Sequence, residues 1–399
     1  MTLKKEYRII LALLLAALFS LRASAAGVEE ITVPAATSVA GIELAQANFD
    51  ITAKAGVLMS SDTGDILYEK NADEPLAIAS ITKVMTLLLT FEAIDAGKIT
   101  LQDVVPVSEH AYSMGGSQIW LEPGEHFTLD ELVKAICVSS ANDAAVAVAE
   151  YVGGSEDVFA TMMNDRAAQL GMTNTHFMNA CGLDEDGHLS TARDVALMSL
   201  ELMKHKKVFE YTGIWTDSLR DGQTQLVNTN KLLKRYNGIT GLKTGTTGKA
   251  GVCISATATR DGTGFIAVVL GSSNSAERFQ AATDLLDYGF ATYETAEFPA
   301  LASSPQTAEV AHGETNQVPL TYAVPEKLLV KKGESTNLSA DITMQPITAP
   351  VEKDTQVGEI TLKMSDQVLQ TYPIKAAETV EKMSFKHGMS ILWKHLMRL

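Results

Sequence analysis

Apolar residues along the chain fall into two spacings, and the changes between them divide it into segments. Ala55-Gly-Val-Leu-Met59 is an unbroken apolar run and predicts a buried strand. The polar turn Ser60-Ser-Asp-Thr-Gly64 and a second strand near Ile66–Glu69 complete a hairpin. From Ser80 to Ala96 the spacing becomes helical, with Val84, Leu87, Leu88 and Phe91 inward and Gly97 as the stop. The pattern stays mainly helical from 98 to 215. It includes Leu129–Val138, the Ala/Val-rich Asp143–Tyr151, and a helix capped by Ser155 that ends at Gly171. Strand spacing returns at Thr240–Lys243. A hairpin then joins Val252–Thr259 to Gly264–Leu270 through Arg260-Asp-Gly-Thr263, and a helix follows over Ala276–Tyr293. Strands at both ends of a helical middle predict an α/β (α+β) domain over 46–297, with an antiparallel sheet flanked by helices and a helical insertion. A Pro/Ser/Ala-rich linker is expected over 298–313. A small all-β domain over 314–380 follows, with short alternating segments such as Val318–Tyr322 and Gln356–Lys363.

Both termini carry amphipathic or apolar signals of another kind. Lys4, Lys5 and Arg8 precede the apolar run Ile9–Phe19, and Ala23-Ser-Ala-Ala26 follows it. That order predicts a signal peptide over 1–26 and an exported protein, because the run is short for a bilayer span. Residues 27–45 read as a weakly patterned lead-in. At the other end, 381–399 predicts a helix with Phe385, Met389, Leu392, Leu396 and Leu399 on one stripe and Trp393 at its border. Lys386, Ser390, Lys394 and Arg398 lie largely opposite, and no acid occurs from Lys382 onward. This is the pattern of an anchor lying in a membrane interface, against the plainer reading of a helix docked on its own domain. A net charge of −16 argues against a nucleic-acid partner. Cys137, Cys181 and Cys253 are too few for a disulfide framework and read as packed thiols.

Three short motifs then come in order: Ser80-Ile-Thr-Lys83, Ser140-Ala-Asn142 and Lys243-Thr-Gly245. On a helix, positions i and i+3 share a face, so the Lys83 amine can reach the Ser80 hydroxyl. A buried lysine loses proton affinity and can act as the base that a serine nucleophile needs. Ser140 offers a hydroxyl to relay a proton to a leaving amine, and Asn142 an amide to orient substrate and Lys83. Asp143 is expected to cap the following helix. Lys243 supplies positive charge, Thr244 a hydroxyl for a carboxylate, and Gly245 a strand edge that a peptide backbone can approach. Thr246 follows directly. An S-x-x-K spacing alone arises by chance roughly once in a chain this long; the conjunction of three motifs in order carries the argument.

These residues give the chain a resemblance to the low-molecular-mass penicillin-binding proteins of the D-alanyl-D-alanine carboxypeptidase type, relatives of the serine β-lactamases. It runs from about Ile51 to Tyr293 and includes Ala79–Thr86, Ser139–Asp143 and Gly241–Thr246. The resemblance implies catalytic roles for Ser80, Lys83, Ser140 and Asn142, and substrate binding by Lys243, Thr244, Gly245 and Thr246. It implies an oxyanion hole from the backbone N–H groups of Ser80 and Thr246. It also implies action on the D-Ala-D-Ala end of peptidoglycan pentapeptides, covalent inhibition by β-lactams, and no metal or organic cofactor. Asn174–Phe177 and Gly182–Asp184 also look family-like and read as structural. Ala141 stands where glycine is frequent in the family, Thr246 where some members have histidine, and Thr229 where some carry an arginine. A serine β-lactamase and a catalytically silent penicillin-binding sensor are the competing readings.

Overall fold

The structure, a computed structural model, describes residues 47–299 and 304–397. The expected signal peptide and lead-in, with Arg398 and Leu399, lie outside the described residues. A five-stranded antiparallel sheet organises the first part. It comprises β1 (Ala55–Ser60), β2 (Ile66–Lys70), β3 (Ile239–Thr247), β4 (Gly251–Arg260) and β5 (Thr263–Ser272), in the order β2-β1-β5-β4-β3. The terminal strands of the domain thus meet in the middle of one sheet, β1 pairing with β5 from Ala55–Leu270 to Ser60–Phe265.

Side chains alternate across these strands. Val57, Met59, Ile266, Val268 and Leu270 face one core, together with the inserted helices. Leu58, Phe265, Ala267 and Val269 face another, beneath the helix Ser275–Thr292. The continuous apolar run of β5 is the signature of a strand covered on both sides. The inserted helices are α1 (Lys83–Asp95), α2 (Leu129–Val138), α3 (Asn142–Gly153), α4 (Glu156–Gln169) and α5 (Ala192–Leu202); the covering helix is α6 (Ser275–Thr292). The Ser155 hydroxyl caps α4 as expected, accepting from the Val158 N–H.

The expected helix from Ser80 begins instead as a 3-10 turn over Ala79–Thr82, with α1 proper starting at Lys83. The expected linker is also corrected. Thr307–Ala311 is a strand, and Phe298 is buried in the separate apolar core of the C-terminal strands. Strand β6 (Tyr293–Glu297) leaves α6 without a break and pairs with Lys327–Lys331. The Lys327 amine bonds the Asp62 carboxylate at 2.7 Å, and that carboxylate also accepts from the Gly264 N–H at 3.0 Å. The remaining strands from Thr307 to Ala376 form a six-stranded sheet around its own apolar core. A final helix, α7, spans Phe385–Leu396.

Candidate active site

The first motif sits on a strained turn. Ala79 has φ +50, a left-handed value that costs an L-residue about 1–2 kcal/mol, and it lifts Ser80 to a half-buried position above α1. One turn on, Lys83 is fully buried, and its Nζ has three partners: Ser80 Oγ at 2.9 Å, Asn142 Oδ1 at 2.6 Å and the Cys181 carbonyl at 2.7 Å. Burial pushes the Lys83 pKa down from 10.5 to about 8, offset in part by the Cys181 and Asp143 side chains. Two of the partners only accept, so they take two N–H bonds. The remaining position faces Ser80 Oγ with a proton when the amine is charged and with a lone pair when it is neutral.

The second motif follows α2. Ser140 also adopts a left-handed φ of +62, which aims its hydroxyl at Lys243; that amine donates to Ser140 Oγ at 2.8 Å and to the Thr244 carbonyl at 2.9 Å. Burial, with the charge of Lys83 nearby, pushes the Lys243 pKa well below its ordinary value. Ala141 has φ −57, so this backbone does not require glycine there. Asn142 is fixed at both ends of its amide, with Nδ2 donating to the Gly115 carbonyl at 2.7 Å. Asp143 does not serve mainly as a cap: its carboxylate accepts from the Ile119 and Leu121 N–H groups, each at 3.1 Å, and holds the loop that passes over Asn142.

The third motif lies inside β3, where Gly245 also makes a close approach. A Cβ there would come 2.8 Å from the Ile78 carbonyl and 3.0 Å from the Ser80 nitrogen. The glycine lets the strand press against the nucleophile turn. Thr244 Oγ1 bonds Thr229 Oγ1 at 2.6 Å, while Thr246 is exposed at the strand end. Asp184 secures the loop beyond, accepting from the Thr247 hydroxyl at 2.6 Å, in keeping with the structural reading of Gly182–Asp184.

Three contributors escaped the sequence reading. The Cys181 carbonyl is a backbone group and leaves no side-chain signal. Arg278, on the first turn of α6, is buried and reaches the Gly245 and Cys253 carbonyls at 3.3 and 3.2 Å; its burial lowers its pKa. His188 supports the turn from below. Its Nδ1 accepts from the Met178 N–H at 3.1 Å, so Nε2 carries the proton and donates to Thr82 Oγ1 at 2.7 Å, which in turn donates to the Ala79 carbonyl at 2.9 Å. Burial pushes His188 down to about 4, keeping it neutral.

A serine and a desolvated amine, backed by a second Ser–Lys pair and an amide, define a serine–lysine acyl-transfer enzyme. Residues 42–274 match the model of the D-alanyl-D-alanine carboxypeptidase family, and residues 293–382 match that of the penicillin-binding protein 5 C-terminal domain. The chain belongs to the first of these, the serine peptidase family S11. It is 44% identical over 338 residues to the D-alanyl-D-alanine carboxypeptidase DacF of Bacillus subtilis, covering 84% of this chain and 87% of that one. Penicillin-binding protein 5 of Haemophilus influenzae has a similar structure, with a TM-score of 0.74 and 27% identity over 85% of this chain and all (100%) of that one. Penicillin-binding protein D2 of Listeria monocytogenes, solved in its cefotaxime-bound form, aligns at TM-score 0.57 and 34% identity over 61% of this chain and 100% of that one.

Proposed function

We propose that Ser80 is the nucleophile and Lys83 its general base in a serine-type D-alanyl-D-alanine carboxypeptidase that trims peptidoglycan stem peptides. The observation that carries this reading is the three-partner environment of Lys83. With Asn142 Oδ1 and the Cys181 carbonyl occupying two N–H groups, the neutral amine turns its lone pair to the Ser80 hydroxyl. Ser80 Oγ attacks the carbonyl carbon of the penultimate D-alanine, and its proton passes to Lys83. The oxyanion is held by the Ser80 and Thr246 N–H groups. The C–N bond then breaks, and the departing D-alanine amine takes a proton through Ser140, backed by Lys243. Water hydrolyses the Ser80 ester and regenerates the hydroxyl. The substrate carboxylate meets Lys243, Thr244 and Thr246. Its negative charge favours the protonated form of Lys243, which burial disfavours in the free enzyme. A β-lactam presents an amide of similar shape, and opening its ring leaves Ser80 acylated.

Helix α7 exposes Phe385, Met389, Leu392, Trp393 and Leu396, with Phe385 86% accessible, and has no acid in its first turn. None of the described helices is long and apolar enough to cross a membrane. We infer that α7 lies in the membrane interface and holds an exported enzyme at the outer face of the cytoplasmic membrane.

Release of D-alanine from a peptide ending in D-Ala-D-Ala tests the assignment, together with a mass map of the penicillin-labelled peptide. Label on Ser80 and loss of release in Ser80→Ala are expected; label elsewhere, or release undiminished, overturns the nucleophile.

A further inference from the structure

The loop that Asp143 holds carries an unusual residue. Trp120 is 73% exposed, yet its backbone has φ +59. A bulky residue in the left-handed region is strained by about 1–2 kcal/mol, and this side chain recovers little of that by burial. The conformation is imposed from both sides. Below, Asp143 accepts from Ile119 and Leu121, the two neighbours of Trp120, whose side chains are buried. Above, Arg220 donates to the Ile119 carbonyl at 2.8 Å and the Trp120 carbonyl at 2.9 Å. Arg220 is itself held by Glu125 at 2.7 and 2.9 Å and lies over the Phe127 ring. Two charged groups and a salt bridge thus lock one residue in a disfavoured backbone state, and the result is an indole held out in water.

The platform stands beside the catalytic groups. The same loop gives its Ser117 carbonyl to the Asn142 N–H at 2.7 Å and its Gly115 carbonyl to the Asn142 amide. The loop residues next to it in the chain are polar, with Ser117 and Glu122 exposed and Gln118 half-buried. An exposed aromatic face on a backbone held in place, in a polar loop, suits a ligand with C–H groups on its ring face and hydroxyls around its edge, because the electron-rich indole face attracts partly positive hydrogens.

We propose that Trp120 is a saccharide subsite, stacking on a pyranose ring of the glycan to which the stem peptide is attached. This rests on the peptidoglycan carboxypeptidase reading above. The subsite makes the enzyme discriminate between a peptide joined to its sugar and the same peptide alone.

The test compares D-alanine release from a disaccharide-linked pentapeptide and from the free pentapeptide, in the wild type, Trp120→Ala and Trp120→Phe. The wild type is expected to favour the linked substrate in kcat/KM. Trp120→Ala should lower the ratio of linked to free by about 3- to 10-fold, and Trp120→Phe should keep most of it. A wild-type ratio near one overturns the proposal, as does a ratio unmoved by Trp120→Ala or equal losses on both substrates. Binding of the disaccharide alone, followed by tryptophan fluorescence, gives an arm independent of turnover. A saturable response lost in Trp120→Ala supports the subsite, and no response in the wild type sinks it. Failure of the wild type to release D-alanine from either peptide strikes the carboxypeptidase reading, and the fluorescence arm then still decides the subsite.

Discussion

If Lys83 must be neutral to accept the Ser80 proton, the acylation rate should follow its titration. At pH 7 an amine of ordinary pKa 10.5 is about 0.03% neutral, whereas one lowered to about 8 is about 10% neutral. Burial therefore raises the competent fraction by roughly 300-fold, equivalent to about 3.4 kcal/mol. The second-order rate of acylation by a fluorescent penicillin, measured by stopped flow at constant ionic strength, should rise about tenfold per pH unit below pH 7. It should level off above pH 9, for a total gain of roughly 90-fold between pH 6 and 9. Lys83→Arg keeps a cation that cannot deprotonate near neutrality, so it should lose about 10²- to 10⁴-fold in acylation while non-covalent binding changes little. A rate flat from pH 6 to 10, or a Lys83→Arg variant acylated at the wild-type rate, would refute the lysine as base.

Other outcomes follow from the same geometry. Gly245→Ala places a methyl 3.0 Å from the Ser80 nitrogen, so the nucleophile turn must shift; acylation should fall roughly 10²-fold, and an unimpaired variant would contradict the wedge role of this glycine. His188 is held down to about 4, below its ordinary 6.5, so the unfolded chain binds a proton that the folded one refuses. Stability should therefore decline as pH drops from 6.5 towards 4, by up to about 3 kcal/mol, and His188→Gln should flatten that slope in urea titrations; an unchanged slope counts against the burial argument. Thr82→Val breaks the relay to the Ala79 carbonyl and should slow acylation, with Thr82→Ser retaining it; equal rates in both would remove the relay from the turn's support. Truncation before Lys382 should abolish sedimentation with anionic lipid vesicles and spare penicillin acylation; a truncated chain that still pellets would dismiss α7 as the anchor.

The strands and helices that carry the motifs were legible because their apolar residues recur at the spacing each element buries. The unbroken apolar run Ala55–Met59 reads as a buried strand, and Ser155 as a cap. The three motifs could be read because each pairs side chains whose chemistry is informative by type. Less accessible were groups whose contribution depends on distance across the fold. Nothing around Arg278 marks a guanidinium that will sit behind Gly245, and the carbonyl of residue 181 has no type at all. Asp143 looked like a cap because it opens a helix, but its carboxylate is drawn to two N–H groups more than 20 residues earlier. The strand Thr307–Ala311 was missed because its few alternating positions sit among small residues typical of linkers.

The passage from Thr292 to Tyr293 has a mechanical meaning. Helix becomes paired strand with no intervening residue, and the Asp62–Lys327 ion pair braces the junction from the side. If α7 rests on a lipid surface as proposed, this hinge-free passage sets the altitude of the Ser80 turn above it, and the wall layer at that altitude is the one within reach.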